Sequence, residues 1–176
     1  MIINNYKSAD KILDHYKSFT GRDFNAYRNH VYRVVNFCFL VDPELTEKHL
    51  EILFTAACFH DLGIWANDTL DYLKPSEDLA EKWIAENQTG LTSKQVRSII
   101  SFHHKITEHS DSLVELFRKA DWMDVTWGFR NFKISRKQIL SLYKTFPDAG
   151  FHFRLIQLSF REFFRHPLRP VPIFKW

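Results

Sequence analysis

The stretch that decides the fold is Thr55–Trp65, TAACFHDLGIW. The run that feeds it, ILFTAACF, is apolar enough for a buried helix, yet it ends in His60 and Asp61, an imidazole beside a carboxylate. On a solvated helix end those two residues cost nothing. In a core, an unpaired charge is strongly unfavourable. Whether the pair faces inward therefore bears on the packing and on the chemistry together.

Outward from this stretch, helical spacing recurs in both directions, with glycine and proline only at the joints. Upstream, the periodicity predicts a helix over 8–19, closed by Thr20-Gly21. A second over 23–41 carries Tyr27, His30, Val34 and Phe37 on one stripe. After Asp42-Pro43 a third starts at Thr46, places Leu50, Phe54, Ala57 and Asp61 on its stripe, and ends at Gly63. Downstream, a loop, IWANDTLDYLKP, leads to Ser76 as the N-cap of EDLAEKWIAEN. Thr92 with Gln95, and Ser135 with Gln138, read as capping boxes for SKQVRSIISFHHK and RKQILSLYK. Between them, SDSLVELFRKADWMDV shows a stripe of Val114, Phe117 and Asp121, and a last helix covers 151–165. No segment alternates well enough to be a strand. The expectation is an all-α bundle of about seven to eight helices, one domain over 1–176, with its motif-bearing part at 23–125.

Composition agrees. Of 176 residues, 45% are hydrophobic and 16% aromatic, enough for one sizeable core. With 24 basic and 21 acidic residues the surface is mixed, which makes no strong case for nucleic acid. Apolar runs such as VVNFCFLV are too short to span a bilayer, and the start, MIINNYKSADK, lacks the order of a secretory signal. Cys38 and Cys58 sit singly on apolar faces, as reduced core residues do. These features predict a cytoplasmic protein with no membrane partner.

His30, the His60–Asp61 pair and Asp121 are thus delivered to the interior by three separate stripes. Two imidazoles and two carboxylates at one point satisfy one another badly, because the negative charges repel. A divalent cation resolves this by neutralising both carboxylates and accepting both neutral nitrogens. Such a mixed set without thiolate suits one six-coordinate Mn, Fe, Co, Ni or Mg ion and not closed structural zinc. Waters on that ion are acidified and can attack an ester.

The order H…HD…D, carried by NAYRNHVYRVV, FHDLG and RKADWMD, resembles the HD-domain superfamily of metal-dependent phosphohydrolases, over residues 30–121. The resemblance implies a bundle of short helices, and a metal held by His30, His60, Asp61 and Asp121. It also implies that Asp61 orients or deprotonates the attacking water, and that the substrate is a small phosphate ester such as a nucleotide. There are departures. Ile64 stands where many relatives have the lysine of H-D-x-G-K, and where some nucleotidase relatives have an acidic proton donor. Two-metal phosphodiesterases and two-iron oxygenases insert two further histidines before the last aspartate. Here His103 and His104, the candidates in that interval, are adjacent in sequence.

Something else must then assist the phosphate. Val96, Ile99, Ile100 and His103 follow the i, i+3, i+4, i+7 pattern, which puts His103 on an apolar face and His104 on its flank. His103 is expected to meet the substrate, or a second weak metal, as general acid. The competing reading is a core histidine bonded to a backbone carbonyl. His104, Arg33, Lys74 and Tyr72 are candidate substrate contacts. Lys74 and Tyr72, with Ser76, could bind phosphate at a helix N-terminus or belong to an ordinary capped loop. Arg33 and Tyr27, one turn either side of His30, support the site or lie on helix surface. Asp68 and Asp71 are candidate replacement acids, and Arg118, Lys119 and Arg130 candidate phosphate contacts. Trp122, Met123, Trp127 and Phe129 stack a base or simply pack. The tail FFRHPLRPVPIFKW touches nucleic acid or a partner, or straps over the bundle. The leading expectation is a metal-dependent phosphohydrolase. Its rivals are an HD-type oxygenase or hydratase on the same metal shell, and a non-catalytic interaction module stabilised by metal.

Overall fold

The computed structural model describes residues 2–67, 71–87 and 89–165. Asp68 and the tail from His166 onward lie outside them. Among the described residues the chain is all-α. In order come α1 (Lys7–His15), α2 (Lys17–Thr20), a 3-10 turn (Gly21–Asp23), α3 (Phe24–Val41), α4 (Glu47–Phe59) and α5 (Leu62–Asn67). After these come α6 (Leu73–Asn87), α7 (Ser93–Phe102), α8 (Ser112–Val125), α9 (Arg136–Thr145) and α10 (Phe151–Arg165). Only α2 and α5 are shorter than nine residues, so eight longer helices build the bundle.

The axis is α3. It is apolar on nearly all sides through its middle, which a helix tolerates only when neighbours cover it. Here α8 and α4 flank it, α7 bridges α4 and α8, and α6 pairs with α7. Phe37, Phe54, Phe59 and Phe117 are fully buried between these helices. Each stabilises the fold by about 1.5–3 kcal/mol, which offsets the polar groups buried in the same layer. Both thiols, Cys38 and Cys58, are free and buried. Among the described residues, no helix is long and apolar enough to cross a membrane.

Ser135 and Gln138 form the expected capping box, and Thr46 forms another with His49. Other boundaries differ from the periodicity. The third helix does not run on to Gly63: α4 stops at Phe59, His60 and Asp61 form a turn, and α5 begins at Leu62. Ser76 is no N-cap, because α6 starts at Leu73. Pro75 lies in that first turn, where a backbone N–H has no helical partner to lose. Ser76 Oγ instead accepts the Gly63 N–H at 3.0 Å. Thr92 makes no side-chain cap, and α7 ends at Phe102, just before His103. The first predicted helix is divided at Tyr16.

The inner face of α10 closes one side of the bundle. Phe151 stacks on the His30 ring, 4.0 Å between centroids, and Leu158 packs with Ile64, Tyr72 and Leu73.

Candidate metal centre

Three parts of the bundle converge on one point. The middle of α3 supplies His30, the turn between α4 and α5 supplies His60 and Asp61, and α8 supplies Asp121. Both histidines are completely buried, and the carboxylates are 4% and 3% exposed. His30 Nε2 lies 3.0 Å from His60 Nε2, 3.7 Å from Asp61 Oδ2 and 3.6 Å from Asp121 Oδ1. His60 Nε2 lies 3.4 and 3.6 Å from the same two oxygens. Consecutive residues on a regular helix diverge by about 100°, and the helix gives way to a turn at these two.

Each imidazole is fixed through its other nitrogen. His60 Nδ1–H donates to the Ala57 carbonyl at 2.8 Å, and His30 Nδ1–H donates to Asp124 Oδ2 at 2.7 Å. With Nδ1 protonated, two neutral rings turn their Nε2 lone pairs on each other at 3.0 Å. A proton or a cation must stand between them. Asp121 Oδ1, also turned to this point, has no hydrogen-bond partner among the described residues. His30, His60 and Asp61 offer ligand atoms within 4.8 Å of one another, so the group could hold a metal ion.

The protonation pattern follows from burial and charge. Burial lowers the pKa of His30, and Asp124 opposes this only in part. Burial also works against a charged His60, but Asp61 and Asp121 outweigh it and bring the group up to about 9. Of the two facing rings, His60 therefore keeps the proton when no metal is bound. Burial pushes Asp61 up, yet His60, then His103 and His30, hold its carboxyl well below the usual carboxylate range. Asp121 is lowered in the same way, chiefly by His60. One proton cancels half of the charge that two carboxylates bring; a divalent cation cancels all of it.

Asp61 also faces a second group. Its Oδ1 accepts from the Tyr72 hydroxyl at 2.6 Å and lies 3.5 Å from His103 Nε2. His103 Nδ1–H donates to the Ile100 carbonyl at 2.7 Å, and its buried Nε2 has no hydrogen-bond partner among the described residues. The His103 ring is thus bonded to the backbone through one nitrogen and turned toward Asp61 through the other. His104 Nε2 is 2.6 Å from the Tyr72 hydroxyl. Burial, then His103, pushes His104 down to about 3, so the neutral ring donates to Tyr72 while Tyr72 donates to Asp61. Asp61, His103 and His104 again bring ligand atoms within 4.8 Å.

The remaining candidates are distributed differently. Arg33 is not a substrate contact but a wholly buried clamp behind His30. Its Nε and Nη2 hold both oxygens of Asp124, at 2.6 and 2.9 Å, and its Nη1 reaches the Phe146 and Pro147 carbonyls. Lys74 is largely exposed and pairs with Asp78. Arg118 and Lys119 pair with Glu115, and Arg130 lies over the Trp122 ring. Tyr27 donates to the Cys58 carbonyl at 2.9 Å, in the core. Ile64 is 2% exposed under Leu158, a place where a lysine or glutamate would be stranded without water.

Sequence reasoning missed Asp124. Burial pushes it up, but Arg33 and His30 hold it well below the usual carboxylate range, so it stays an anion behind His30. The signal was present in DWMD: residues three apart share a helix face, so Asp121 and Asp124 point the same way from α8. Phe151 carried no such signal, because its contact with His30 spans most of the chain. Comparison with protein-family models, curated proteins and solved structures returns no match for this chain.

Proposed function

We propose that this chain is an HD-type metal-dependent hydrolase of a small phosphate ester, such as a nucleotide, with His30, His60, Asp61 and Asp121 holding one divalent Mn, Fe, Co, Ni or Mg ion. The observation that carries the reading is the pair of Nε2 atoms 3.0 Å apart, turned on each other between two buried carboxylates. Such an ion, when bound, supplies an acidified water and withdraws charge from the phosphoryl oxygens. Asp61 is the residue that orients this water: its Oδ2 faces the ligand set, while Tyr72 on Oδ1 keeps the carboxylate from turning. His103 carries no proton on Nε2 in its neutral form, so that nitrogen can take a proton and return it to the leaving group. Lys74, Arg118, Lys119 and Arg130 are held by other partners, so the phosphate relies on the ion and on His103, with His104 acting beside it through Tyr72.

The test combines metal analysis of freshly purified protein with a phosphoester panel, with and without divalent ions. About one ion per chain and ion-dependent hydrolysis are expected. His103→Gln should keep its metal and lose turnover by roughly a hundredfold, while His104→Gln loses much less. Turnover of His103→Gln equal to wild type rules out the general-acid role. Metal binding without hydrolysis of any ester points to the non-catalytic module. The grouping of Asp61, His103 and His104 favours one further reading, a two-iron oxygenase. Two irons per chain and oxygen uptake would establish that reading in place of the hydrolase.

A further inference from the structure

Helix α10 is apolar on two faces, and among the described residues the bundle covers only one. The inner face holds Phe151 and Leu158, both buried. On the outer face Phe153, Ile156, Phe160, Phe163 and Phe164 are 65%, 46%, 64%, 50% and 79% exposed. With 3.6 residues per turn these five fall within an arc of about 100°. The arc has no polar side chain in it.

Charge marks the same end of the chain. Residues 151–176 hold five basic residues and one acidic, whereas residues 1–150 hold nineteen basic and twenty acidic. The positive excess of the whole chain is therefore confined to residues 151–176. On the helix, Arg154 and Arg161 are seven apart and line one flank of the stripe. Arg154 Nε lies 3.0 Å from Asp23 Oδ2, and Arg22 is 3.8 Å from the same carboxylate, so two guanidinium groups share one anion beside the stripe.

We propose that the outer face of α10 docks on an anionic lipid membrane, lying in the interface with its phenylalanines among the acyl chains and Arg22, Arg154 and Arg161 at the headgroups. An exposed aromatic stripe flanked by arginine is the pattern of a helix lying in a membrane interface. A second copy is the poorer occupant. Pairing two such helices would set one basic flank against another, with Glu162 the only acid in the segment to answer it. A nucleic acid would satisfy the arginines but leave the unbroken apolar arc in water. The surface is independent of the metal centre, so the hydrolase reading stands or falls separately.

The experiment is flotation of the full chain with vesicles of phosphatidylcholine alone, or with about one third phosphatidylserine. Partitioning should be roughly tenfold stronger onto the anionic vesicles and should fall as salt is raised. Phe160→Glu with Phe164→Glu should abolish it, while helical circular dichroism and metal content stay as in wild type. Failure to bind anionic vesicles at low salt, or equal binding to both kinds, overturns the proposal. So does full binding by the double variant, which would assign the attachment to residues outside the stripe. A dimer seen by light scattering, and dissolved by the same two substitutions, would give the stripe to a second copy and overturn the proposal as well.

Discussion

Asp124 takes His30 Nδ1–H on one oxygen and the Tyr143 hydroxyl on the other, with Arg33 bridging both. It therefore sets which nitrogen of His30 keeps a proton, and so which one faces the ligand set. A carboxylate behind a histidine ligand is worth about 10–100-fold in metal affinity, the loss expected for Asp124→Asn in chelator competition. The same substitution leaves Arg33 buried without its anion, a cost of about 3–5 kcal/mol readable by urea unfolding. Adding Arg33→Met removes that stranded charge, so stability should return while affinity does not. Recovery of both would show that the pair only holds the fold together. His60 yields a prediction in pH. Its pKa in the metal-free protein is raised to about 9 from 6.5, so its stabilising contribution is present below 6.5 and lost as pH rises through about 9. A metal must expel that proton to use Nε2. Apparent affinity should therefore climb about tenfold per pH unit between those values and level off above them. Near neutral pH, calorimetry in buffers of different ionisation heat should report about one proton released. No dependence on buffer would contradict a protonated His60.

At the scale of elements, Gly63 explains how α6 reaches the site. A Cβ there would meet the Tyr72 carbonyl at 2.5 Å and Ser76 Oγ at 2.8 Å. The start of α6 rests directly on the α5 backbone, and only a glycine allows the approach. Gly63→Ala should push Tyr72 off Asp61 and destabilise the protein by about 1–3 kcal/mol, measurable by urea unfolding. The four candidate ligands lie outside α6, so metal content should persist; its loss would show that Tyr72 is needed to keep Asp61 in place. This contact was not legible in the sequence, where the glycine read as the end of a helix. The bundle itself was legible, because apolar stripes repeat through α3, α4, α7 and α8, and a stripe that carries His30, Asp121 or His103 must bring it inward. The inward direction of the four ligand candidates was readable for the same reason. The break at His60–Asp61 was not: periodicity continues through it, and only the packing of α5 under α6 ends the helix there. Which of its readings Arg33 follows was not legible, because its partner lies ninety-one residues away, beyond the reach of any local pattern.

Across the whole molecule, the apolar core and the polar centre oppose each other. The interior that buries Phe37, Phe54, Phe59 and Phe117 also buries His30, His60, Asp61, Asp121, Asp124 and Arg33. Asp124 and Arg33 compensate each other through two short charged bonds. The pair Asp61 and Asp121 has one protonated His60 to answer two negative charges, so without metal this layer keeps one negative charge in excess. A ligand that binds only the folded state adds stability by mass action, about 2.7 kcal/mol at a hundred times its dissociation constant. For a chain of this size that is a rise of about 5–10 °C in Tm. Manganese added to chelator-stripped protein should produce that rise, and renewed chelation should reverse it. Asp121→Asn removes one ligand charge and leaves the core volume almost unchanged, so it should fold yet show little of the rise. An equal shift in wild type and in Asp121→Asn would place the responsive site elsewhere on the molecule. No shift with any of Mn, Fe, Co, Ni or Mg would mean that the proton on His60 is the only cation this centre takes.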